Sequence, residues 1–419
     1  MKKSFFFEGE IPASKSLLNR ALICQSYEPS LKIKGHNTCL DVQKLTLALK
    51  QLKTNQKKAF DCGQAGTTFR FLALRLSRIK GEHILTGTHR LIHERPQKEL
   101  LEILRQLHVH VQVENCRWII RSQGWPQDYL KLHVSTQKSS QFLSALVLNA
   151  WELPTPLEIT WDPLFVSKSY FFMTLKLLKK LGLHFQIKKR SLFIPPHQKI
   201  FTHQVYYVEP DMSSLFVIAT FAALSGKAIF HNFPYKSLQP DKRFLNFFQS
   251  MQIKTKRLPA KKLLISYSPQ REPLEASLYN SPDLFPVLAF LCALTPGKSH
   301  LKNIPQLVYK ESNRLKKVTE LLSLIKVPYE LENDSSIRIY GRSFEDIKRR
   351  ISPFTFSSDQ DHRLAFAAGL LQYLGIPLSL EDPEVVQKSF PEFWNMLSLE
   401  FSSKTYNRRN SREGYGLLS

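Results

Sequence analysis

Apolar positions along the chain recur at three- and four-residue spacing in segments of about ten to fifteen residues, separated by short alternating runs. Residues 1–10 read as an edge strand. Leu17, Leu18, Ala21, Leu22 and Cys24 share one face of a helix over 15–28. A strand near 31–33 follows, then a helix from Asp41 carrying Val42, Leu45, Leu47 and Leu49. The same spacing predicts helices over 69–76, 97–107, 142–148, 168–181, 215–224, 241–251, 284–293, 311–324 and 363–374. Strands are predicted near 60, 83–85, 109–113, 118–121, 132–134, 157–160, 184–188, 192–194, 204–208, 228–230, 263–265, 300–301, 329–331, 337–339 and 378–380. The cadence of strand, helix, strand, strand repeats with little identity between repeats. The runs 142–148 and 284–293 are apolar nearly all round, so they predict helices buried inside sheets and an α/β fold.

With 419 residues the chain is too long for one core and predicts about two domains. Its 43% hydrophobic content predicts globular folding. No apolar run has the length to span a bilayer, and Glu8 and Glu10 interrupt the N-terminal apolar run, so neither a membrane span nor a signal peptide is expected. Five scattered cysteines with no metal spacing predict a reducing, cytoplasmic setting and no metal site. A net charge of +24 admits nucleic acid or an anionic small molecule as partner. Its spread along amphipathic segments, without a basic arm, favours solvated surface plus a minority focused on an anionic substrate. The polar, basic tail 401–419 is expected to be disordered.

The most informative stretch is Ile11-Pro12-Ala13-Ser14-Lys15-Ser16-Leu17-Leu18-Asn19-Arg20. Pro12 ends an extended run, and Ser14 or Ser16 can cap the helix that follows. Lys15 and Arg20 then sit where helix amides are unpaired and the dipole is positive, which suits an anion. Gly63-Gln64-Ala65-Gly66-Thr67 forms a small-residue turn before a helix, and Pro282-Asp283 reads as the cap of another. These two join Glu94-Arg95-Pro96, Ser139-Ser140-Gln141-Phe142-Leu143, Ser167-Lys168-Ser169-Tyr170, Lys310-Glu311-Ser312-Asn313-Arg314, Asp361-His362-Arg363 and the Asp382-Pro383 to Lys388-Ser389-Phe390-Pro391 segment.

In that order and spacing, over about residues 8–398, the chain resembles the 5-enolpyruvylshikimate-3-phosphate synthase family. The resemblance implies a two-domain inverted α/β barrel, each domain built from three βαββαβ-type units. Residues 14–211 would form the domain on the shikimate 3-phosphate side, and 1–13 with 212–400 the second. Crossovers would lie near 12–14 and 210–213, with the active site in the cleft. It also implies a monomeric transferase with no cofactor, no membrane and no specific nucleic acid. That enzyme moves the enolpyruvyl group of phosphoenolpyruvate to the 5-hydroxyl of shikimate 3-phosphate and releases phosphate, a step of aromatic amino acid biosynthesis.

By resemblance, phosphoenolpyruvate is held by Lys15, Gly66, Arg95, Gln141, Arg314, Arg363 and Lys388. Shikimate 3-phosphate is held by Lys15, Ser16, Arg20, Ser139, Ser140, Gln141, Ser167, Tyr170, Asp283 and Lys310. Two phosphorylated carboxylates in one cleft demand several cations, with arginine where contacts are bidentate. The chemistry needs a proton donor for the methylene of phosphoenolpyruvate and a base for the 5-hydroxyl. Asp283 is the expected base, and Glu311 with Lys15 moves protons. His362 is expected to be a satisfied structural histidine. Ala13, Gln64, Phe71, Val308 and Asn313 depart from the family pattern without deleting a catalytic group. Two other readings stay open: UDP-N-acetylglucosamine enolpyruvyl transferase, whose characteristic loop cysteine is absent from residues 89–94, and a phospho-ligand-binding protein with a degenerate site.

Overall fold

A computed structural model describes residues 4–54, 59–333 and 335–397. The expected tail 401–419 lies outside the described residues. Apolar side chains gather into two large clusters. One is assembled from Leu17 to Tyr206, the other from Phe5, Ile11 and Met212 to Leu397. The chain passes between them twice at one place. There Ala13 and Pro210 form an antiparallel bridge, Ser14 N donates to Glu209 O at 2.8 Å, and Asp211 N donates to Pro12 O at 2.8 Å.

Each cluster holds three mutually packed helices at its centre. In the first these are Lys15–Gln25, Gly66–Leu76 and Gln141–Leu148; in the second, Met212–Ser225, Phe285–Ala293 and His362–Leu374. Every residue of Phe285–Ala293 is buried, and Gln141 is the one residue of Gln141–Leu148 that is not. A helix packed on all sides has no use for a polar stripe, which is why these runs lack one.

Three sheets surround each trio of helices. Four of the six are four-stranded and share one plan: a parallel pair extended by two antiparallel strands. The order Phe60–Asp61, Gly81–Thr86, Arg117–Ser122, His110–Glu114 is one example. The other two, Lys32–Lys34 with Val205–Tyr207 and Phe354–Phe356 with Leu378–Leu380, are parallel pairs. Thus one unit in each trio of sheets is reduced to two strands. Among the described residues no sheet closes into a barrel. The N-terminal strand Phe5–Gly9 lies at an edge, parallel to Gly226–Phe230 in the second cluster.

Helix ends differ from expectation where backbone partners override side-chain caps. Ser14 occupies the N-cap position of Lys15–Gln25, but its hydroxyl makes no cap bond and is buried without a partner. Its amide is held instead by the crossover. The helix expected from 311 starts at Arg314, because Asn313 Oδ1 accepts from Lys316 N at 3.1 Å. Residues 241–251 divide into a 3-10 turn, Pro240–Arg243, and a helix, Phe244–Ser250. Thr255–Leu258, Glu275–Ser277 and Phe344–Arg349 had no apolar periodicity long enough to predict them.

Candidate active site

Five of the six central helices, all but Met212–Ser225, direct N-terminal ends toward the space between the clusters. Lys15 and Ser16, Gly66 and Thr67, and Gln141 lie at such ends on one side, and His362 with Arg363 on the other. Asp283 precedes Phe285–Ala293 in the 3-10 turn Pro282–Leu284. These residues line a single cleft. Unpaired helix amides and aligned dipoles make its walls positive before any side chain is counted. Seven cations line it, Lys15, Arg20, Arg70, Arg95, Lys138, Lys310 and Arg363, against three carboxylates, Asp41, Asp283 and Glu311.

The carboxylates are tied to these cations and to two more behind them. Arg314 is almost fully buried; its guanidinium donates to Asp283 Oδ1 at 2.8 Å, Glu311 Oε2 at 2.7 Å and Asp361 Oδ2 at 2.8 Å. Arg363 donates to Asp283 Oδ2 at 3.1 Å, and Lys310 Nζ lies 3.4 Å from Asp283 Oδ1. Lys388 Nζ lies 3.8 Å from Glu311 Oε1. Burial alone would raise the Asp283 pKa, but Arg363, Lys310 and Arg314 hold it well below the usual carboxylate range. Glu311 is likewise held low against its burial by Arg314 and Lys388. Asp283 therefore does not cap a helix with its side chain; its carboxylate belongs to this ion network.

Lys15 Nζ donates to Asp41 Oδ2 at 2.8 Å; burial acts to lower the Lys15 pKa, but Asp41, with Cys39 and Glu311, raises it on balance. Arg20 donates to Thr174 Oγ1 and to Ser16 O, both at 2.7 Å; burial pulls its pKa down to about 10. Gly66 faces Arg95 so closely that a Cβ there would lie 2.7 Å from the guanidinium carbon and both terminal nitrogens. Gln141 opens its helix with its N–H donating to Ser139 Oγ at 3.2 Å, beside Ser140 at the N-cap position. Ser167 stands in the left-handed region at φ 55°, directly before Lys168–Lys180. Tyr170 donates to Asp241 Oδ1 at 2.8 Å, joining the two sides. Burial and the nearby Asp283 charge push the Asp241 pKa up to about 6.

Of the residues expected from the sequence, Lys15, Ser16, Arg20, Gly66, Arg95, Ser139, Ser140, Gln141, Ser167, Tyr170, Asp283, Lys310, Glu311 and Arg363 line the cleft. Arg314 and Lys388 stand one layer back, against Glu311. His362 departs from expectation: it is buried, and neither ring nitrogen has a partner. Burial, with Lys15 and Arg363 nearby, keeps it neutral by holding its pKa well below the usual value. Several contributors were missed. Arg70 is buried and donates to Gln141 Oε1 and to Pro96 O, both at 2.7 Å; a charge within Phe69-Arg70-Phe71-Leu72 was its signal. Asp41 pairs with Lys15 across 26 positions, and Gln306 enters from a 3-10 turn; neither has a local signature. Arg90 reaches over the cleft to the carbonyl of Glu311. The departures are absorbed locally: Asn313 caps a helix, Gln64 O accepts from Arg95 at 3.3 Å, and buried Phe71 lies 5.3 Å beneath the Arg20 guanidinium. Among the described residues, no group of three or more His, Cys, Asp or Glu side chains could hold a metal ion.

Comparison with known proteins bears on the same arrangement. The model of the EPSP synthase (3-phosphoshikimate 1-carboxyvinyltransferase) family matches residues 48–397. A 3-phosphoshikimate 1-carboxyvinyltransferase of Syntrophobacter fumaroxidans is 30% identical over 337 residues, 79% of this chain and 77% of that one. One from Bacteroides fragilis strain YCH46 is 28% identical over 410 residues, 93% of each. In solved structures the fold is similar to EPSP synthase from Acinetobacter baumannii, with TM-score 0.73, 18% identity, and 95% of this chain and 96% of that one covered. It is also similar to the enolpyruvyl transferase NikO from Streptomyces tendae, with TM-score 0.70, 12% identity, and 94% and 95% covered. The match across most of its length shows that the chain belongs to the EPSP synthase family.

Proposed function

We propose that this cleft transfers the enolpyruvyl group of phosphoenolpyruvate to the 5-hydroxyl of shikimate 3-phosphate, with release of phosphate, in aromatic amino acid biosynthesis. The observation that carries the reading is the excess of cations and helix N-termini around three carboxylates. Each substrate brings a phosphate and a carboxylate, and together they match that excess. Ser16, Arg20, Ser139, Ser140, Ser167, Tyr170 and Lys310 are assigned to shikimate 3-phosphate. Gly66, Arg95, Arg314, Arg363 and Lys388 are assigned to phosphoenolpyruvate, and Lys15 and Gln141 stand between the two. Arg70 orients Gln141 and shields Phe142, whose ring lies 4.7 Å from its guanidinium.

Asp283 takes the proton of the 5-hydroxyl as the hydroxyl oxygen bonds to the phosphate-bearing carbon of phosphoenolpyruvate, and Glu311 with Lys15 delivers a proton to the methylene carbon. Loss of one proton from the resulting methyl group, with cleavage of the bond from carbon to the phosphate oxygen, then forms the vinyl product and free phosphate. In the free site both carboxylates are held ionised by neighbouring cations. Substrate anions would draw Arg363, Lys310 and Lys388 away, so both pKa values would rise toward the range useful for proton transfer. The enclosed space is ≈ 70 Å³, far below the roughly 300–1,000 Å³ of ligand pockets, so entry of both substrates requires the two sides to part. The paired crossovers at 12–14 and 210–213 are the proposed hinge between a 14–211 domain and one formed by 1–13 with the chain after 211. No cofactor is required. We place the enzyme, as a monomer, in the reducing cytoplasm, a setting suited to its five free cysteines.

Purified protein should release phosphate only when shikimate 3-phosphate and phosphoenolpyruvate are both present. Release with UDP-N-acetylglucosamine in place of shikimate 3-phosphate would shift the assignment to the sister transferase, and none with either would favour a binding protein. Lys15→Met and Asp283→Ala should each lower kcat by about 10²- to 10⁴-fold, with an unchanged circular dichroism spectrum; near-normal turnover refutes the role of the residue changed. Gly66→Ala forces the Arg95 guanidinium to shift. It should raise KM for phosphoenolpyruvate by about tenfold or more while leaving KM for shikimate 3-phosphate nearly unchanged.

A further inference from the structure

A second groove, ≈ 690 Å³, lies where the two clusters meet, behind the contacts that close the cleft. Ser169 and Tyr170 separate the two spaces. Tyr170 lines the cleft, whereas Ser169 lines the groove and donates to Asn280 O at 2.6 Å. One wall comes from the helix Lys168–Lys180 and the other from the segment that includes Pro240–Arg243. Lys168 and Lys176 stand on the first wall, Lys242 and Arg243 on the second, and no carboxylate lines the groove. Among the described residues, Lys168, Lys176 and Arg243 have no ion-pair partner. Lys242 Nζ is anchored on Tyr235 O at 2.7 Å. Two carboxylates stand beside the groove without lining it: Glu209 accepts from Ser237, Leu238 and Gln239 of its wall, and Asp241 accepts from Tyr170 and Ser213. Lys168 Nζ lies 5.4 Å from the centre of the Phe172 ring. Two walls that carry cations and no carboxylate repel, and a multivalent anion between them reduces that repulsion.

We propose that this groove binds a small molecule carrying two or three linked phosphates. Its volume suits a small ligand, and four cations divided between two walls suit a chain of phosphates more than one isolated charge. Such a ligand, touching both clusters, stabilises the arrangement in which they are in contact, and so couples to cleft closure. The binding itself does not depend on the catalytic assignment.

Isothermal titration with inorganic tripolyphosphate at low salt tests it. The doubly substituted Lys176→Ala, Arg243→Ala protein should bind at least tenfold more weakly. An exposed pair elsewhere, Lys348→Ala with Arg349→Ala, should leave affinity within twofold, as should Arg95→Gln in the cleft. Equal binding by the groove variant overturns the proposal, and so does an equal loss in the distant pair, which would mark non-specific attraction to a basic surface. A loss confined to Arg95→Gln would place the probe in the cleft and overturn it too. Lys176→Arg should restore most of the affinity lost at that position.

Discussion

Positive charge gathered at one place is the constraint on which the rest of the structure depends. Five core helices begin at the cleft, so each brings the positive end of its dipole to it. Lys15, Arg70, Arg95, Arg314 and Arg363 are drawn into the same small volume. Without anions that arrangement would push itself apart. Arg314 shows how the chain answers it. Its guanidinium is buried against Asp361, Glu311 and Asp283, which come from three separate segments. Asp361 is itself fully buried and caps the helix His362–Leu374 by accepting from Arg363 N at 3.0 Å. Core packing, a helix start and the orientation of two catalytic candidates are thus fixed by one side chain.

The same balance explains why the free cleft is compact. Internal carboxylates satisfy cations that substrates would otherwise occupy, so substrate binding becomes an exchange of anions. Such an exchange costs less than exposing bare buried charges, and it changes the protonation behaviour of the carboxylates as it proceeds. His362 stays neutral within this crowd and keeps both ring nitrogens unpaired. The charges acting on it are the cations Lys15, Arg363 and Lys388 and the carboxylate of Glu311, which Arg314 and Lys388 hold.

Much of this was legible from residue order. The apolar runs at 142–148 and 284–293 marked helices enclosed by sheets, the run 215–224 fell within Met212–Ser225, and the strand at 378–380 fell where alternation placed it. Spaced motifs named most of the residues lining the cleft. What escaped was set by distance along the chain or by competing partners. Ser14 lost its capping role because the crossover holds its backbone, and Asp283 lost its own to Arg314 and Arg363. Asp41, Gln306 and Arg90 reach the site only through tertiary packing, so no local pattern announces them. Of the five departures from the family motifs, Asn313 is gained as a helix cap and Phe71 packs against the Arg20 guanidinium.

The central claim is that the cleft protonates the methylene carbon of phosphoenolpyruvate and later removes a proton from the resulting methyl group. Mass spectrometry of product formed in deuterium oxide measures this directly. Deuterium is expected at the vinyl carbon of the product, acquired only when shikimate 3-phosphate is present. Product formed at a normal rate with no deuterium at that carbon would contradict it.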